Sequence, residues 1–145
     1  MRINLRVAHN EDLEALERGH PAVTFRLYTY LRLRLHSAWS DPLRAIVDTG
    51  SAYSVVPHDL ADKLHVTPLY RTRIGGLVPN EFMKGTMAEV ACMATDGETT
   101  SDPFTIRAIL ADQVGIPLIL GVHGLLDKTR LTTLIGQREA WIDHS

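Results

Sequence analysis

The chain has 145 residues, 15 basic and 17 acidic side chains, a formal net charge of −2 and 45% hydrophobic residues. Such a length supports one domain with its own core. Its near-balanced charge argues against a dedicated nucleic-acid surface, and no run approaches the ~18 apolar residues of a membrane span. Cys92 is the only cysteine, so no intrachain disulfide forms, and the seven histidines show no HExxH or paired His/Cys spacing, so neither a metal nor another cofactor is expected.

The N-terminal residues Met1, Arg2, Ile3, Asn4, Leu5 and Arg6 lack the apolar stretch of a signal peptide. With a single cysteine this makes a cytoplasmic location the expectation. Ile3, Leu5 and Val7 alternate as in a strand. Asn10 is placed to cap a short helix over Glu11 to Arg18, which Gly19 and Pro21 would stop. From Val23 to Leu35 apolar residues keep a period of two, broken at Thr29, with Arg26, Arg32 and Arg34 on the opposite face. This predicts one long half-buried strand, or two bent near Thr29, with the arginines as a solvated face.

Ser40-Asp41-Pro42 is a turn, and Leu43 to Val47 returns as the strand that delivers Asp48. Ser54 to Pro57 leads into a helix over His58 to Leu64, with Leu60, Ala61 and Leu64 on one face. Arg73-Ile74-Gly75-Gly76-Leu77-Val78-Pro79 reads as a hairpin tip with paired glycines. Further strands are expected over Thr86 to Met93, Phe104 to Leu110 and Leu118 to Leu120, with a turn at Asp96-Gly97 and a short helix over Gly124 to Lys128. Leu131 to Ile135 and Glu139 to Ile142 would close the chain as a hairpin around Gly136-Gln137. There are no repeats or linkers. Many short strands at this spacing predict an all-β, barrel-like domain with one or two short helices.

The most informative stretch is Ala45-Ile46-Val47-Asp48-Thr49-Gly50-Ser51. An apolar strand runs straight into a tight turn that carries one acid. Burying an acid there is costly unless it is paired or hydrogen-bonded. Thr49 and Ser51 supply hydroxyls, and Gly50 allows close backbone approach. Much later come Pro117-Leu118-Ile119-Leu120-Gly121 and then Leu125-Leu126.

Two hydrophobic residues before Asp-Thr-Gly-Ser, followed at a distance by Ile-Leu-Gly and a Leu-Leu pair, resemble the retropepsin-like aspartic proteases. The resemblance spans roughly Val23 to Ile142, leaving residues 1–22 as an N-terminal extension to a domain of residues 23–145. One copy of Asp-Thr-Gly implies the retroviral type, a homodimer in which each subunit gives one acid. It further implies that Asp48 is catalytic and that Thr49 hydrogen-bonds across the dimer. Gly50 would let the paired turns meet and leave its carbonyl for substrate. Ile46, Ser51, Ala52, Tyr53 and Val55 would line the substrate cleft, with Pro117, Ile119 and Gly121. Ile74, Gly75, Gly76, Leu77 and Val78 would belong to a flap that closes over a peptide or protein substrate. Val78-Pro79-Asn80 stands in place of the second glycine pair of retroviral flaps. Tyr53 stands where retroviral enzymes often carry an acid, and Ser51 is expected to bond the carboxylate and favour its charged form. The alternative is a retropepsin-like dimer without proteolysis, serving as a peptide-binding or assembly module, since a fold does not fix a function.

Overall fold

The computed structural model describes residues 1–78 and 81–143, with the backbone alone for residues 74, 76–78 and 81. Alternating apolar residues give strands β1 (Arg2–Glu11), β2 (Val23–Leu33), β3 (Leu43–Val47), β4 (Ser54–Val56), β5 (Val66–Val78) and β6 (Glu81–Thr95). They are followed by β7 (Phe104–Ala111), β8 (Ile119–Leu120), β9 (Arg130–Leu134) and β10 (Glu139–Asp143). Two short helices, α1 (Leu13–Glu17) and α2 (His58–Ala61), complete the regular α structure of the described residues. The domain is therefore all-β, as its sequence predicts. Its strands form one sheet in the order β5-β6-β7-β4-β8-β3-β2-β1-β10-β9, and an additional pairing of β6 with β2 closes six of them into a ring.

Ile3, Leu31, Leu33, Ile106, Leu120 and Ile142 fill the centre of the main core and are fully buried. Strand β1 belongs to that core. Its first half pairs with β10 and its second half with β2, so Ile3 and Leu5 point inward. The boundary placed at residue 22 falls inside the β1–β2 hairpin.

Several local expectations change. Residues 10 and 11 stay extended because they pair with β2, so the helix starts later: Asp12, not Asn10, is its cap, accepting the Ala15 N–H at 3.0 Å. Helix α2 ends at Ala61 because Leu64 bridges to Leu35 instead of extending the turn. Residues 126–128 form a 3₁₀ turn, not an α-helix. The strand expected over Thr86 to Met93 runs the length of β6, and that expected to Leu35 ends at Leu33. The three arginines of the "solvated" face have different surroundings. Arg32 donates to the Ser40 carbonyl at 2.9 Å, Arg34 lies over the Trp39 ring, and Arg26 lines a cavity. No helix among the described residues is long and apolar enough to cross a membrane.

Asp96 ties the turn after β6 to β1. Its carboxylate accepts the N–H groups of Thr99 (2.7 Å), Glu98 (2.9 Å) and Asn4 (3.0 Å). Desolvation pushes its pKa up, but the amides of Thr99, Asn4, Glu98 and Asp96 itself outweigh that and hold it below the ordinary 3.8. A depressed folded pKa contributes stability that is complete above the unfolded value and is lost as pH falls through the folded one. Asp96→Asn is therefore expected to make stability fall less steeply below about pH 4. Urea midpoints taken at stepped acid pH would read this, and an unchanged slope would contradict it.

Candidate active site

The end of strand β3 has both faces covered, which explains the apolar run Ala45-Ile46-Val47 after the exposed Arg44. Ala45 and Val47 enter the main core. Ile46 faces a second cluster with Val55, Met83 and Ile119. The strand lies parallel to β8, with Ile46 opposite Ile119 and Val47 opposite Leu120. Asp48 takes the last rung of this ladder, donating its N–H to the Leu120 carbonyl at 3.0 Å. The chain then leaves the sheet. Asp48 Oδ1 accepts the Gly50 N–H at 2.9 Å and the Asp48 carbonyl accepts the Ser51 N–H at 3.2 Å, an Asx-type turn.

The two widely separated motifs meet here. Val122 donates to the Ser51 carbonyl at 2.8 Å and His123 to the Ala52 carbonyl at 2.9 Å. Just before them Gly121 presses on the turn so closely that a Cβ would lie 2.3 Å from the Tyr53 carbonyl oxygen. The fully buried Ser54 hydroxyl accepts the Gly121 N–H at 3.0 Å. The Asp48 turn is thus held by backbone and buried hydroxyl contacts, while its carboxylate stays half-exposed and Thr49 and Gly50 are exposed.

Asp48 opens onto a cavity of about 460 Å³ lined by Phe25, Arg26, Leu27, Ile46, Val47, Pro117 and Ile119. Of the residues expected to meet substrate, Ile46, Pro117 and Ile119 are brought together there. Ala52 and Tyr53 lie on the far limb of the turn, where the Tyr53 ring is tilted against His123 with centroids 6.3 Å apart. Val55 and Gly121 are buried in the single chain and act in packing. The Ser51 expectation is corrected: its hydroxyl donates to the Tyr53 carbonyl at 2.6 Å, so its one proton is not available to Asp48. Ser51→Ala should cost about 1 kcal/mol of stability, read by urea denaturation, because the turn loses that bond. An unaltered midpoint would count against it.

The glycine-containing segment does form a hairpin. Strands β5 and β6 pair from Val66↔Val90 out to Val78↔Glu81, and the connecting Pro79 and Asn80 lie outside the described residues. The backbones of Ile74, Gly76, Leu77 and Val78 belong to β5. Gly75 lies under the exposed Phe82 ring, 3.0 Å from where its Cβ would be. Met83, one residue on, is buried with Ile46, Val55 and Ile119, which seats the hairpin next to the Asp48 turn. Arg71 fastens it to the end of β7 by a forked pair to Asp112, whose carboxyl it holds below the ordinary range.

Phe25, Arg26, Leu27 and Val47 escaped the sequence reading of the site. The alternation of β2 marked Phe25 and Leu27 as core, but only the register with β3 reveals that β2 runs past Asp48. Among the described residues Asp48 is the only acid lining the cavity, and no group of three or more metal-ligating side chains occurs among them. Cys92 is fully buried and burial pushes its thiol pKa up, so it is no exposed nucleophile. No family model, no curated protein and no solved structure matches the chain.

Proposed function

We propose that the chain is a retropepsin-like aspartic endopeptidase that works as a homodimer, with one Asp48 from each copy. The observation that carries this reading is the Asp48 turn. A half-exposed carboxylate stands on a rigidly braced turn, beside a cavity of peptide dimensions and a long hairpin seated next to it.

The need for a second copy follows from proton accounting. One carboxylate cannot take a proton from water and donate one to the scissile carbonyl at the same moment. Two carboxylates a few ångströms apart do not both ionise cheaply, so they share a proton. One then acts as base and the other as acid, as is usual for aspartic proteases. A twofold axis supplies the second Asp48 with no further sequence requirement.

In the proposed reaction a water sits between the two acids. The ionised Asp48 takes its proton as the oxygen attacks the peptide carbonyl carbon. The protonated Asp48 hydrogen-bonds the developing oxyanion. Return of a proton to the amide nitrogen breaks the C–N bond and leaves a carboxylic acid and an amine. No covalent intermediate forms on the protein. The mostly apolar lining of the cavity favours apolar side chains flanking the cut.

The test is cleavage of a broad peptide library across about pH 3 to 8 by wild type, with a transition-state-type aspartic protease inhibitor as a parallel arm. Cleavage blocked by the inhibitor supports the reading. A folded, dimeric and inert protein would replace it with the peptide-binding module.

A further inference from the structure

Strands β2 and β3 pair in antiparallel register from Leu31↔Leu43 to Tyr28↔Ile46. Carried on, the same register sets Arg26 opposite Asp48. The strands part before reaching it: β2 continues along β1 through Leu27↔Val7 and Arg26↔Ala8, and Asp48 joins Leu120 on the other edge of β3. The gap that opens between them is the cavity, and among the described residues Arg26 and Asp48 are its only charged lining.

Arg26 does not close that gap. It is exposed and makes no ion pair, hydrogen bond or ring contact with any described residue. Nearby arginines are engaged otherwise: Arg44 lies over Tyr28 and Arg32 binds the Ser40 carbonyl. A strand holds Arg26 in place, so its guanidinium, rooted beside apolar walls, presents free donors to whatever enters the cavity. A guanidinium fork matches a planar carboxylate, with two parallel N–H···O bonds.

We infer that Arg26 is a specificity-determining residue that takes an acidic side chain of the peptide substrate. This rests on the aspartic protease reading above. A peptide with its scissile carbonyl at Asp48 advances about 3.3 Å per residue, with alternate side chains on one face. The Arg26 guanidinium then meets a side chain at a fixed position on one side of the cut. The twofold axis repeats that position on the other side.

The experiment is digestion of a synthetic randomised decapeptide library by wild type, Arg26→Gln and Arg26→Glu, with cleavage sites read by mass spectrometry. Thermal melts check that each variant is folded. Wild type should enrich Asp or Glu at a fixed distance from the cut. For matched Glu and Gln peptides the kcat/KM ratio should be about tenfold, the range of a partly exposed charge-assisted bond. Arg26→Gln should bring that ratio near one, and Arg26→Glu should enrich Lys or Arg at the same position. Cleavage by wild type without acidic enrichment, or enrichment that survives Arg26→Gln, overturns the inference and leaves the protease standing. Absence of cleavage by folded wild type removes the protease reading, and this inference with it.

Discussion

Asp48→Asn should abolish peptide cleavage, by about a thousandfold or more, while leaving the fold intact. The two halves of that expectation have separate grounds. The amide of Asn keeps an oxygen where Asp48 Oδ1 accepts the Gly50 N–H, and the backbone rungs to Leu120 and Ser51 do not involve the side chain. The position is half-exposed, so removing the charge leaves nothing buried and unpaired. An amide, however, neither takes a proton from water nor shares one with a second acid. Melting curves of the two proteins should superimpose while cleavage disappears. Activity that survived in the folded mutant would mean that Asp48 is not the base.

Gly121→Ala is expected to be the most damaging single-methyl substitution at the site. Its Cβ would lie 2.3 Å from the Tyr53 carbonyl oxygen, 2.5 Å from the Tyr53 carbonyl carbon and 2.7 Å from the Ser51 carbonyl oxygen. All three are backbone atoms, and hydrogen bonds from Val122 and His123 pin the same turn. No side chain can swing aside, so the β8 end and the Asp48 turn must separate. That strains the buried Gly121–Ser54 bond as well. A loss of about 3 kcal/mol or more is expected. Urea denaturation would read it. Gly136→Ala, with nothing within 4 Å of its Cβ, is the control and should be nearly neutral. Equal midpoints for the two variants would show that the two motifs are not packed as described.

The sequence signals that proved most readable were those with short-range causes. An apolar run ending in Asp-Thr-Gly-Ser had to be a covered strand feeding a turn, and β3 and its Asx-type turn are that. Period-two alternation found β2, and paired glycines between apolar residues marked the β5–β6 hairpin, although Gly75 and Gly76 lie within strand β5 and not at a turn. Long-range pairing was not readable in this way. Nothing local says that β1 lies between β10 and β2, or that the first half of β2 leaves β3 to wall a cavity with Phe25 and Arg26. Hydroxyl partners were equally hidden. Ser51 and Ser54 are near neighbours in one turn, yet one donates to Tyr53 and the other accepts from Gly121 across the motif junction. The helix cap moved from Asn10 to Asp12 because strand pairing outweighed a local capping preference. Since the Ser51 proton is committed to Tyr53, the acid limb of any pH–rate profile should be set without it.

The most direct test of a site shared between two copies is to unfold wild type and Asp48→Asn together, refold them in varied proportion and measure cleavage per chain. If each active site takes one Asp48 from each of two chains, activity follows the square of the wild-type fraction, so an equal mixture retains about one quarter of the all-wild-type rate. A linear decline, with about one half retained, would mean that each chain cleaves alone and would contradict the shared pair of acids.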